Sequence, residues 1–268
     1  MLGSIILALA ALGAGALAAP VTPNLDVAAG TPGGMDALSE YFNLLASKVQ
    51  QSRTMAVAPV CDMAHAVIAL GGAAGSLPAP SAGLTLKHVA IGRGTQNYTC
   101  DTSAPRAAPI ATGALATLFN ASCVAATDPD LLDLLPRVAL QFDLSSGGPG
   151  PAAAAGPPLP PSDLAISGHH YFASATTPFF DLDAAGLRLG TAPCLKNNSM
   201  AAPPGAPPGR HAEPAVAWLK LLARPGATGR LQEVYRVNTA GGSPPATCAG
   251  MPPAFEVQYS AQYWFYQD

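Results

Sequence analysis

Residues 168–183 read GHHYFASATTPFFDLD, and their two histidines and two aspartates are the residue types from which metal sites and acid–base pairs are built. Successive side chains on a strand point to opposite faces, so His169 and His170 cannot easily share one metal ion. His170 with Asp181 or Asp183 is the combination a hydrolase or metal-dependent enzyme would use, with His88 added only by the fold. The simpler expectation is one buried, hydrogen-bonded histidine and one exposed one. DLDAAG (181–186) opens like a calcium loop but lacks the later acidic ligand, so a turn is expected there and no metal site is assigned.

Residues 92–100, GRGTQNYTC, invite a nucleotide reading through their Gly-x-Gly. A dinucleotide fingerprint needs a third glycine and a following helix whose N-terminus holds the pyrophosphate. Here Asn97 stands at the third glycine position and β-prone TQNYT follows, so the stretch reads as a turn and strand leading to a disulfide cysteine. No Walker motif, G-x-S-x-G elbow, H-E-x-x-H or C-x-x-C occurs, and no cofactor is expected. Asp143, Glu213, Glu233 and Glu256 have no spacing that places two of them across a cleft, and no catalytic residue is assigned. Aromatic residues gather late in the chain. In FEVQYSAQYWFY (255–266), Tyr259, Tyr263 and Phe265 share one face, while Trp264 and Tyr266 share the other with Glu256, Gln258, Ser260 and Gln262. Trp264 and Tyr266 are therefore the expected surface ligand-binding rings, with His170.

Composition limits the partners. Charged residues are only 11% of the chain and the net charge is -3, so neither nucleic acid nor a membrane surface has electrostatic support. Residues 1–18 read as a signal peptide, with an apolar run over 5–17 and small residues at Ala16 and Ala18 before the expected cleavage point. No later run reaches the roughly 20 apolar residues that a spanning helix needs. Export agrees with cysteines at 61, 100, 123, 194 and 248, and with Asn97, Asn120 and Asn197, which each open a glycan-acceptor triplet. Five cysteines leave one over. Cys100 with Cys123 is a plausible local bridge and Cys61 with Cys248 one that ties the ends. Cys194 is the odd thiol, free to link two chains as a dimer.

The elements that must position these residues are mostly strands. LTLKHVAI (84–91), TQNYT (95–99), ALATLF (114–119), VALQFD (138–143), HYFAS (170–174), AVAWLKLLA (215–223), EVYRVNT (233–239) and the 255–266 run alternate or are apolar, and Gly, Pro, Asn and Ser clusters separate them. Leu38, Tyr41, Phe42, Leu45 and Val49 have helical spacing over 35–53, either as a propeptide or partner helix or as a helix packed on the domain. A shorter helix is expected at DPDLLDLLP (128–136), capped by Asp128, with Pro129 in its first turn, and ended by Pro136. Proline and glycine make up about a fifth of the chain and concentrate in two tracts, 145–162 and 201–214, read as surface insertions. The resulting organisation is a 19–57 linker and helix, then a 58–268 all-β domain, an antiparallel sandwich or barrel.

LTLKHVAIGRGTQNYTC, GALATLF, GHHYF, WLKL, EVYRVNTAGGSPPATC and VQYSAQYWFY follow one another in an order that resembles the domain of unknown function 3455 family, secreted proteins of filamentous fungi with bacterial relatives. The resemblance covers roughly 77–268. It implies a compact, mostly β extracellular domain and no established activity. Fungal members often carry the label malate dehydrogenase, which the fingerprint above does not support. Gln96, Tyr98, His170, Trp218, Arg236, Thr239, Gly241, Gly242, Tyr259 and Tyr263 fall on its pattern, and Arg236, inside an apolar strand, is expected to pair with a carboxylate or with carbonyl oxygens. The expected function is that of a secreted binding module whose partner is a cell-wall polysaccharide or host-surface component. The enzyme built on His170 and a surface protein linked through Cys194 stand as alternatives.

Overall fold

The computed structural model describes residues 34–53, 55, 60–72, 75–142, 156–184 and 186–268. The leader-like residues and most of the first proline-rich tract lie outside these. Two residues each of β1 (Gly71–Gly72) and β2 (Gly75–Ser76) make a small ladder. The others are β3 (Thr85–Thr99), β4 (Ile110–Asn120), β5 (Ile166–Ser174), β6 (Thr177–Asp181), β7 (Thr191–Met200), β8 (Trp218–Ala223), β9 (Leu231–Gly241) and β10 (Ala254–Gln267). These eight close into an antiparallel barrel, each paired with the next and β10 returning to β3. The all-β expectation holds as a barrel, and closure leaves these strands no open edge.

Alternation along the strands divides the apolar residues between two cores. Tyr259, Ala261, Tyr263 and Phe265 of β10 face inward with Leu118, Phe180 and Val234. Trp264 and Tyr266 face outward, onto a second core with Val89, Ile91, Leu135 and Tyr41. Helices α1 (Gly34–Ser52), α2 (Ser122–Thr127) and α3 (Pro129–Ala139) supply the cover: α3 lies on β3, β9 and β10, and α1 packs on α3. Glu40 pairs with Arg137 and Lys48 with Asp128, each at 3.0 Å, across the helix layer. Trp264 is therefore 1% exposed and Tyr266 7% exposed, and neither is a surface binding ring. The polar residues beside them serve that interface: Ser260 donates to Gly92 O, and Gln262 accepts from Trp264 Nε1 and donates to Leu132 O.

Other expectations need correction. Residues 138–142 of VALQFD are the end of α3 and a turn, not a strand, and Asp143 lies outside the described residues. Pro136 lies inside α3 and does not end it, and Asp128 makes no side-chain cap. Strands β6 and β7 were not anticipated, because Pro178, Pro193 and the Asn197–Asn198 pair interrupt their alternation. The disulfides are Cys61–Cys123 and Cys100–Cys248. Cys100 and Cys123 lie at opposite ends of the barrel, because the eleven residues of β4 between them span roughly 35 Å. Cys194 is free and fully buried inside the barrel, and burial pushes its thiol up to about 12, so it is not exposed to join a second chain. Among the described residues no helix is long and apolar enough to cross a membrane.

Candidate functional site

Inward-facing side chains fill the half of the barrel toward Phe265 and leave a cavity of about 330 Å³ in the other half. Thr176, in the β5–β6 turn, and Lys196 on β7 are exposed and form its rim. Phe172, Pro178, Leu219 and Leu221 make its walls, and His170, Phe180 and Tyr263 lie buried beneath them. Gln96 of β3 and Arg236 of β9 complete the lining. Among the described residues no carboxylate lines it.

The strand register brings these groups together. Ala116, His170 and Phe180 are successive cross-strand partners, as are Leu219, Arg236 and Tyr263, so each set shares the inner face. The His170 ring stacks on Phe180 at 4.3 Å and 10°, with Tyr263 at 5.7 Å. Its Nδ1 lies 3.0 Å from Phe179 O. A carbonyl oxygen only accepts, so Nδ1 carries the proton and Nε2 keeps its lone pair. Burial lowers the His170 pKa to about 4, with the nearby Arg236 charge acting in the same direction, so the ring is neutral at neutral pH.

Arg236 donates to Ala217 O at 2.9 and 3.3 Å and to Gln96 Oε1 at 3.4 Å, which meets the expectation of carbonyl partners. Gln96 Nε2 is buried without a hydrogen bond. Gln96 lies near the Tyr259 hydroxyl and favours its ionised form. That hydroxyl bonds Tyr263 at 2.8 Å, and burial raises the pKa of both tyrosines. Gly241 and Gly242, both at positive φ, turn the chain against this group: a side chain at Gly242 would meet Tyr259 Cβ at 2.7 Å.

The His170–aspartate arrangement is not assembled. Asp181 pairs in register with His169 and so faces away from the cavity. Its Oδ1 accepts from the Asp183 and Ala184 amides, and Asp183 Oδ1 accepts from Gly190 N, so the described residues of DLDAAG form the expected turn. His169 is also buried and not exposed, and neither of its ring nitrogens has a hydrogen-bond partner. His88 is held apart between Ser167 and Ser122, 2.9 Å from each hydroxyl. Among the described residues no group of three or more His, Cys, Asp or Glu could hold a metal. Asn120 and Asn197 are exposed and Asn97 is half-buried on the outer wall. Reading the residues singled out His170. Gln96, Arg236, Tyr259 and Tyr263 entered through the family pattern, while Phe172, Lys196 and Leu219 were missed. A period of two from His170 reaches Phe172, the signal that was available.

A family model described as a protein of unknown function (DUF3455) matches residues 80–267. No curated protein and no solved structure matches the chain.

Proposed function

The chain belongs to the DUF3455 family, whose description names no activity, and we propose that it is an exported binding protein whose barrel interior receives a small organic ligand. The observation that carries this reading is Gln96 Nε2, a buried donor without a hydrogen-bond partner, on a residue that lines a cavity also holding a buried arginine. Leaving such a donor unsatisfied costs about 1–3 kcal/mol, a cost that a bound acceptor removes. A cavity of about 330 Å³ falls at the lower end of the range for small-molecule sites. Closed barrels of eight strands have room for one such molecule. Export is supported by the leader-like start, the glycan-acceptor triplets at Asn97, Asn120 and Asn197, and two disulfides, which persist in oxidising compartments. The binding function is kept from the sequence reading but its partner changes. A wall polymer laid across Trp264 and Tyr266 has no support, because both rings are buried.

The test is uptake of the neutral fluorophore N-phenyl-1-naphthylamine by the full secreted chain. A saturable rise in emission at one molecule per chain is expected, and Leu219→Trp, which fills the cavity, should abolish it while retaining the wild-type circular dichroism spectrum. Absence of saturable uptake, or equal uptake by a folded Leu219→Trp protein, would sink the reading.

A further inference from the structure

We infer that the occupant is a small monoanionic aromatic acid, with its carboxylate between Arg236 and Gln96 and its ring against His170, Phe180 and Tyr263; this rests on the cavity reading above. Charge decides the head group. Arg236 is 8% exposed, and among the described residues its guanidinium meets neutral groups, namely Ala217 O, Gln96 Oε1 and the Tyr263 hydroxyl, and no carboxylate. A buried cation without a counter-charge bears the cost of its lost hydration, and an anion in the cavity offsets it. Gln96 Nε2 adds a second donor beside the fork, and a carboxylate has two oxygens to divide between them. A dianion is less well matched, because the other cation of the lining, Lys196, is exposed at the rim, where water screens it.

The body of the ligand follows from the walls. His170 and Phe180 are stacked, Tyr263 is tilted 5.6 Å from Phe180, Pro178 precedes Phe180 on the inner face of β6, and Leu219 of β8 also lines the cavity. Such a slot favours a flat apolar ring. A sugar would leave most of its hydroxyls unpaired, since the walls are mostly apolar and, among the described residues, no carboxylate lines the site.

Isothermal titration of the full chain with 2-naphthoate, 2-naphthamide and 2-naphthyl phosphate tests this. The carboxylate is expected to bind one per chain and at least tenfold more tightly than the amide or the phosphate ester. Arg236→Met should reduce the carboxylate to the affinity of the amide, a far larger loss than it causes for N-phenyl-1-naphthylamine. Should Arg236→Met fail to fold, Gln96→Leu keeps the cation and should weaken the carboxylate several-fold and the amide less, because a hydrogen bond to a charged acceptor is the stronger one. Equal binding of acid and amide by a chain that still takes up the neutral fluorophore overturns the inference and leaves the cavity reading intact. A tighter phosphate ester overturns the monoanion assignment. No uptake of the neutral fluorophore by wild type overturns both.

Discussion

Gly92 and Gly94 hold their places because of what stands across from them inside the barrel, which is the physical content of a Gly-x-Gly that resembles a phosphate loop. A side chain at Gly92 would lie 2.4 Å from Tyr263 Cε2, and one at Gly94 only 1.9 Å from Leu115 O. Tyr263 is a buried ring bonded to Tyr259, so it can yield only by moving toward the cavity. Gly92→Ala is therefore expected to cost about 1–3 kcal/mol in urea unfolding and to weaken fluorophore uptake. Gly94→Ala meets backbone, and its yield of folded protein should be much lower. Equal stability of Gly92→Ala and wild type would remove this account. The histidines set a second residue-level expectation, because burial lowers the pKa of both His88 and His170 to about 4 from the ordinary value of about 6.5. Their neutral forms are favoured in the folded chain, while the unfolded chain takes up protons below about pH 6.5. The stability they contribute is full above that pH and is lost as the pH falls through about 4, on the order of 3 kcal/mol for each ring. Urea midpoints at several pH values should decline across this window. His170→Phe, which keeps the stack on Phe180, should flatten part of the decline. The rest falls to His88 and to His169, whose pKa burial also lowers. An unchanged slope would count against a buried neutral His170.

At the scale of elements, α3 is fastened to the barrel through a defect in its own hydrogen bonding. Pro136 cannot donate to the carbonyl of Leu132, four residues back, and Gln262 of β10 supplies that donor from Nε2 at 3.2 Å. Arg93, on the outer face of β3, meets the other end of the helix, donating to Ala139 O and Phe142 O. A double-mutant cycle tests the first attachment. Gln262→Met leaves Leu132 O and Trp264 Nε1 unpaired and should cost about 2–4 kcal/mol. Added to Pro136→Ala, which restores a helical donor to Leu132, the same change should cost at least 0.5 kcal/mol less, the size of coupling expected for groups in contact. Additive losses would mean that Gln262 does not compensate for the proline. The same attachment shows where the sequence is legible and where it is not. Period-two alternation located most of the barrel strands and both faces of β10, because alternation records facing directly. It did not tell which face meets solvent. Ser260, Gln262 and Trp264 read as an exposed polar face only because the cover comes from α1 and α3, distant in sequence, and buried polar groups with satisfied bonds look the same in the chain as solvated ones. The site was legible for a similar reason only in part. His170 and Arg236 are conspicuous in apolar strands and period two from His170 reaches Phe172, whereas Leu219 acquires its role solely from barrel closure.

Over the whole molecule, the two disulfides hold opposite ends of the barrel. Cys100–Cys248 joins the β3–β4 and β9–β10 connections at the end that carries the cavity, where Tyr98 donates to Gly242 O and the second proline-rich tract docks through Pro207 O and Pro214 O. Cys61–Cys123 joins the segment after α1 to α2, beyond the far end of β4. Farther along, that segment is pinned where Ser81 and Lys220 bond Glu233 and Tyr235 donates to Pro78 O. Burial disfavours the Glu233 carboxylate, but the Ser81 and Lys220 bonds together outweigh it and hold its pKa below the ordinary value. The chain-entropy argument gives the two bridges similar weight, about 4 kcal/mol for a separation of 62 residues and about 5 kcal/mol for 148. Stability alone would not distinguish them, but location does. Replacing Cys100 and Cys248 together by serine should speed amide hydrogen exchange at Val216, Gly241 and Ser243, whose amides bond around the cavity end, while α3 keeps its protection. The matching change at Cys61 and Cys123 should speed exchange in 60–70 and α2 and leave the cavity end protected. If the second pair of changes loosened Gly241 and Ser243 as much as the first, the barrel ends would be coupled through the wall, and the cavity could not be treated as a site held locally by its own disulfide.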